Sequence, residues 1–391
     1  WITEMNKVLK LFTIFLSIII LSGCSSLSWL KFWGDDEEEI ELPAVLEEIT
    51  QKVSISSLWD AKVGKEKIQG RIFPSISGDR LFYINAEGEL FAFEKNNGTK
   101  IWEKETEDQA SGGIETAFRK IIYGTLDGEV VVLNQENGEE TWRAQATSEI
   151  LSSPITNGSV VIAQGADGSV TGFDFDNGEQ SWIHQVTVPN LSLRGTSTPI
   201  LKQGFIFTGF ANGTVAMIYP DSGAVRLELP ITMNEAASEL ERIVDIDGKV
   251  VVASDVLVSA SYQGHITAID LQQGRPIWQE KVSTTKDLVE VRSRVIAIDD
   301  KDILKAFGLS SGVVLWQQEG LKLRGLTSPV SVRGNIAVGD FEGYIHIING
   351  GDGSFLGRFR ASKNPIVEIV SEGDKLAITD DKGRLFFLSL T

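Results

Sequence analysis

Glycines recur down this chain at a spacing that few folds can use. One closes a short turn at Gly88, Gly128, Gly168, Gly213, Gly264, Gly343 and Gly383, with Asp302 in that place once, at intervals of 40, 40, 45, 51, 38, 41 and 40 residues. Ten residues after each of the first seven positions comes another, at Gly98, Gly138, Gly178, Gly223, Gly274, Gly312 and Gly353. Four further on stands Trp102, Trp142, Trp182, Trp278 or Trp316, with Leu227 and Gly357 in that place in the fourth and seventh units. A period of about 40 residues marks a solenoid or a propeller, because one such unit cannot bury its own faces. Within each unit the pattern reads as four short strands. The third runs 150–156, 159–165, 169–175 and 179–185, joined through Asn157-Gly158, Asp167-Gly168 and Asp176-Asn177-Gly178. Asn-Gly and Asp-Gly supply the positive φ that tight hairpins require. Asp302 is a mild departure, since Asp tolerates that conformation better than most residues.

Eight such units predict an all-β chain, an eight-bladed β-propeller of four-stranded antiparallel blades, with the recurring Trp as the wedge between blades. Closure is a test of that reading. After Gly383 the next Trp falls beyond Thr391, so the last unit is one outer strand short, while Leu58-Trp59-Asp60-Ala61 is an outer strand without a unit. The N-terminal strand is therefore expected to complete the last blade and leave no open edge. An open solenoid, the structural rival, leaves both fragments unmatched.

Ahead of the repeats, Met5-Asn6-Lys7 begins a pattern to which residues 1–4 do not belong, and these four read as spurious. Lys7 and Lys10 precede an apolar run over 11–21, shorter than the roughly 20 residues a spanning helix needs and suited to a signal peptide. Leu21-Ser22-Gly23-Cys24 resembles the bacterial lipobox. That resemblance implies removal of 1–23, acylation of Cys24 and, with Ser25 and not Asp following, residence at the periplasmic face of the outer membrane. Several acyl chains on one residue give durable attachment. Residues 24–54, with the like-charge block Asp35-Asp36-Glu37-Glu38-Glu39, read as a solvated acidic tether, and 55–391 as the propeller.

Composition removes whole classes of function. With 36 Lys+Arg against 54 Asp+Glu the net charge is −18, and it reaches −19 once the one Glu and two Lys before Cys24 are taken away. Such a chain is a poor ligand for phosphate backbones, so no nucleic-acid partner is expected. One Cys excludes an internal disulfide, a Cys-based zinc site and an iron–sulfur cluster. His184, His265 and His346 have no metal-ligand spacing, and the last two, just after turn glycines, are expected at the surface. No Ser stands in a Gly-x-Ser-x-Gly turn, and no metal is expected.

The unit ending Phe173-Asp174-Phe175-Asp176-Asn177-Gly178-Glu179-Gln180-Ser181-Trp182 resembles the quinoprotein-type propeller repeat and differs from WD40, because Trp-Asp occurs only at Trp59-Asp60. Two functions are implied by such a likeness. A quinone-cofactor dehydrogenase of this type is longer, holds calcium among clustered carboxylates and carries a vicinal Cys pair, which this chain cannot supply. The lipobox, tether and eight blades together resemble the BamB family of outer-membrane protein assembly factors. That resemblance implies a non-enzymatic scaffold without cofactor. Its partners would be the POTRA domains of BamA, the other lipoproteins of the β-barrel assembly complex and nascent outer-membrane proteins. In that family an L-x-L-R and a D-x-D stretch form the docking surface, matched here by Leu191-Ser192-Leu193-Arg194 and Asp245-Ile246-Asp247.

The repeat map places the first stretch between units three and four and the second between units four and five. Both are outer-to-inner connections on one rim, in the two longest intervals, and long loops on a rigid scaffold are where binding tends to reside. Two apolar anchors and a guanidinium able to fork onto a carboxylate suit a protein partner, with the acids facing basic groups. A framework role stands beside this. Leu321-Lys322-Leu323-Arg324-Gly325 repeats the pattern between units six and seven, and both copies lead into a Pro, at Pro199 and Pro329. Residues 234–242 read as a short helix in the fifth connection, with no role assigned.

Overall fold

Alternating small turns and β-branched or aromatic runs produce the strands that the periodicity requires. The computed structural model describes residues 41–64, 71–193, 195–232 and 243–391, and residues Pro43–Thr391 form one compact unit. Its strands make eight four-stranded antiparallel sheets. Blades 1 to 7 are simple meanders covering 75–105, 115–145, 155–185, 200–230, 251–281, 289–318 and 330–360. Blade 8 covers 366–390, and its outermost strand is Ile55–Lys62. The protein is an eight-bladed β-propeller. Residues 1–40, with the expected signal peptide, Cys24 and the acidic block, lie outside the described residues, as do Arg194 and the helix expected over 234–242. Among the described residues no helix is long and apolar enough to cross a membrane.

Contact between one blade and the next explains the paired periodic markers. Trp142 lies over Gly178 of the following blade, where an added Cβ would sit 2.6 Å from the indole; Trp182 over Gly223, Trp278 over Gly312 and Trp316 over Gly353 repeat the contact. Each indole N–H also donates across the seam: Trp142 to Phe175 O (2.9 Å), Trp182 to Pro220 O (2.8 Å), Trp278 to Leu309 O (2.8 Å) and Trp316 to Gly350 O (3.3 Å). The ten-residue glycine is thus required twice, by its positive φ and by the ring that covers it.

Ring closure follows the same rule. Trp59 stacks on Phe387 of its own blade (centroids 5.4 Å), covers Gly98 and Phe93 of blade 1, and donates to Lys95 O at 2.8 Å. Its strand pairs with the last, Ile55 opposite Leu390 and Lys62 opposite Arg384, with one bulge after Ser57.

The chain ahead of that strand also lies on the blades. Ala44 N donates to Lys322 O (2.9 Å), Lys52 N and Val53 N donate to Leu356 O (2.7 and 3.1 Å), and the Gln51 amide brackets the Arg358 backbone (2.9 and 3.0 Å). Residues 44–53 therefore cover the outer edge of blade 7. This accounts for Gly357 at a Trp position: a Cβ there would meet Val53 O at 2.7 Å.

Local differences from the sequence expectation have physical causes. The inner strand of blade 3 is only Ile155–Thr156, because Asn157 turns its side chain into the hairpin and accepts the Ser159 and Val160 amides there (both 2.9 Å). In blade 5 the left-handed turn residue is Gln263, at φ 49°, and not Gly264. Asp302 takes the glycine conformation at φ 60° and uses its carboxylate on Gly325 N (2.7 Å) and Leu326 N (3.2 Å). His346 is not at the surface. It sits on the strand Tyr344–Ile348 with no exposure, its Nε2 3.0 Å from Asp340 Oδ2 and its Nδ1 accepting from Arg358 Nε at 3.1 Å. A turn glycine three residues upstream marks a strand start, and the second inward position of that strand is core.

Candidate partner-docking site

The connections into blades 4 and 5 come together as their sequence positions require. Leu193 N donates to Asp245 Oδ2 at 2.5 Å, Ser197 Oγ donates to Gly248 O at 3.0 Å, and Asp247 packs on Gly195, where a Cβ would lie 2.8 Å from its carboxyl carbon. Ile246 between the two acids is buried over Gly209, leaving 2.2 Å for any Cβ there. Burying Ile246 carries the segment inward and takes both carboxylates with it. Asp245 has no exposure and Asp247 only 9%.

The two acids are therefore internal braces of the loop in this structure, and only the loop faces outward. Leu191 is 41% exposed, Ser192 is exposed and Leu193 is half-buried. Arg194 stands next in sequence, outside the described residues. Desolvation pushes the Asp245 carboxyl up to about 7; the neighbouring Asp247 charge adds to this, and the Leu193 amide opposes it. Asp247 is pushed up to about 6 by burial, against the pull of Arg71. The second oxygen of Asp245 has no hydrogen-bond partner among the described residues, so ionising this group is costly.

The repeated motif serves a different end. Leu321 has no exposure and Arg324 only 3%. The Arg324 guanidinium reaches Asp340 (Nε–Oδ2 2.9 Å), Glu342 and the carbonyl of Ala44 (2.9 Å), and lies 4.9 Å above the Phe341 ring. The positions three and one before the turn glycine, Asp340 and Glu342 in blade 7, are Phe210 and Asn212 in blade 4. The carboxylates that neutralise Arg324 thus have no equivalents after Arg194. Sequence reasoning missed this network; acids just before a turn glycine, downstream of an L-x-L-R, were the available signal.

A second polar cluster lies on the axis. A cavity of about 480 Å³ opens there, walled by Arg71, Glu115, Lys249, Asp287 and Glu368. Arg71 and Asp287 are ion-paired at 2.8 Å, and burial raises Glu115 above its ordinary value and Glu368 to about 7. Among the described residues no three His, Cys, Asp or Glu side chains are placed to hold a metal ion.

A family model described as outer membrane protein assembly factor BamB matches residues 86–318. The Kangiella koreensis outer membrane protein assembly factor BamB is 39% identical over 374 residues, covering 95% of this chain and 94% of that protein. The chain belongs to the BamB family. In structure, BamB from Moraxella catarrhalis superposes with a TM-score of 0.79 at 24% identity, over 86% of this chain and 100% of that one. The quinohemoprotein alcohol dehydrogenase of Comamonas testosteroni reaches 0.67 at 11% identity, over 86% and 76%, a likeness of fold alone. Family membership thus follows BamB, and the dehydrogenases share only its ring.

Proposed function

We propose that this protein is a non-enzymatic lipoprotein scaffold of the outer-membrane β-barrel assembly complex, held at the periplasmic face of the outer membrane by lipid on Cys24 once residues 1–23 are removed. It docks on the POTRA domains of BamA through Leu191, Leu193 and Arg194, works beside the other lipoproteins of the complex, and keeps nascent outer-membrane proteins near the site of insertion. Asp245 and Asp247 act from beneath as braces of that loop. One observation carries the reading: an exposed leucine stands on a rim loop whose backbone is pinned by a buried carboxylate. Pre-positioned apolar anchors of this kind lower the ordering cost of association. Phe210 and Asn212 stand at the positions whose carboxylates neutralise the repeat copy Arg324, and a guanidinium in this motif is suited to fork onto a partner acid.

Binding of the Leu193→Ala, Arg194→Ala double variant to purified POTRA domains tests the docking assignment. A loss of at least tenfold in affinity is expected with an unchanged circular dichroism spectrum, and unchanged affinity refutes it. Membrane fractionation of Cys24→Ser tests the anchor; the variant is expected in the soluble fraction.

A further inference from the structure

Arg71 belongs to the lead-in of blade 1, next to Gly112 in the lead-in of blade 2. Its guanidinium does not stay there. Nη2 pairs with Asp287 Oδ2 at 2.8 Å, and Nη1 donates to the backbone carbonyl of Asp247 at 3.3 Å. Asp247 leads into blade 5 and Asp287 into blade 6, and in an eight-membered ring blade 5 lies opposite blade 1. One side chain therefore spans the axis. Asp287 spends its other oxygen on Lys249 N at 2.8 Å. The Arg71–Asp287 pair thus grips both ends of residues 247–249, the carbonyl of the first and the amide of the last. Gly248 between them leaves no freedom, since a Cβ there would come 2.1 Å from Lys286 O.

We infer that Arg71 is a positioning residue for the docking loop, holding the Asp245–Asp247 brace from across the axis so that Asp245 keeps the Leu193 amide in place. The inference rests on the docking role given above to that loop. Among the described residues, further ties of the brace come from its own side of the ring: Tyr262 N to Asp245 O (2.9 Å), Ile246 N to Phe210 O (3.3 Å) and Ser197 Oγ to Gly248 O (3.0 Å). The Arg71 tie comes from the opposite wall and is charge-assisted, and such bonds are stronger than neutral ones. Glu115, Lys249 and Glu368 also face the guanidinium across the cavity. Without Arg71, Asp287 loses its ion-pair partner and the Asp247 carbonyl loses its donor.

Two variants of the full chain separate positioning from simple bracing of the ring. Arg71→Met removes both contacts. Arg71→Lys keeps an ion pair with Asp287 but cannot fork to the Asp247 carbonyl as well. Two readouts are taken: affinity for purified POTRA domains by calorimetry, and the Leu193 amide resonance in [15N]leucine-labelled protein. Both variants are expected to move the Leu193 resonance and to weaken binding about tenfold, while the lysine variant retains most of the thermal stability that methionine loses. Wild-type affinity with an unmoved Leu193 resonance in the lysine variant overturns the inference, whatever the methionine variant does to folding. The Leu193→Ala, Arg194→Ala control keeps the two ideas apart. Unchanged affinity there refutes the docking role, and the Leu193 resonance still decides whether Arg71 positions the loop.

Discussion

Replacing Asp245 by Asn removes one of the two titratable groups beneath the docking loop. The folded carboxyl holds its proton to about pH 7, whereas its ordinary value is 3.8. Between these limits the native state binds more protons than the unfolded chain, so the stability this group allows is fully present at low pH and is lost as pH rises through 7. Integrated over that window, wild-type protein should lose about 2 to 3 kcal/mol between pH 5 and pH 8 from this group alone. Asparagine carries no charge at any pH. Its oxygen accepts the Leu193 amide, but its NH2 lies where the second carboxylate oxygen has no described partner, a pH-independent cost of about 1–3 kcal/mol. Slope is therefore the observable, and absolute stability is not. Urea unfolding at pH 5, 6, 7 and 8 should give a clearly flatter dependence for Asp245→Asn. Some slope is expected to persist, because Asp247 still titrates near 6. Parallel curves for the two proteins would refute a buried, proton-holding Asp245.

Gly178→Ala should cost about 2 kcal/mol or more, from a positive φ and from a Cβ 2.6 Å from the Trp142 ring, whereas Gly204→Ala, with nothing within 4 Å, should cost only the φ penalty of about 1 kcal/mol; equal shifts in urea midpoints would deny the seam contact. Trp59→Ala should cost about 3–5 kcal/mol and open the seam between blades 8 and 1 to limited proteolysis, and an unaltered melting temperature would contradict closure by that strand. Asp340→Ala removes the buried carboxylate from Arg324, leaving Glu342 and the Ala44 carbonyl, and strands His346 Nε2, so a loss of about 3–5 kcal/mol is expected in chemical denaturation; a loss below about 1 kcal/mol would show that the network is dispensable.

The ring was legible because its signals are local and repeated. A glycine at positive φ and a tryptophan fourteen residues after a turn each report a contact that recurs in nearly every blade. Closure was legible from the two unmatched fragments. The side chains of the candidate site were not. Asp245 and Asp247 read as rim acids facing a partner's basic groups, whereas both are buried on either side of Ile246, which packs against Gly209. His346 read as a turn neighbour, yet its partners Asp340 and Arg358 come from both sides of the same blade. The cover over blade 7 depends on Arg358 donating to the carbonyl of Glu47 at 2.8 Å, 311 residues away, a pairing no window along the sequence can reveal. Arg71 is similar: its partners lie half a ring away.

The strand Ile55–Lys62 emerges from synthesis before any blade exists, yet its partner Arg384–Leu390 follows every other described strand. Seven sheets can form and stack in order while this first segment waits, so the final step is a capture over a separation of more than 300 residues, which loop entropy makes slow. Until then Arg384–Leu390 offers a bare edge to any extended chain nearby, and a polypeptide cut short near its C-terminus never acquires it. Closure of this ring thus waits on the strand Arg384–Leu390, and truncation ahead of it should yield material prone to aggregate rather than a smaller functional ring.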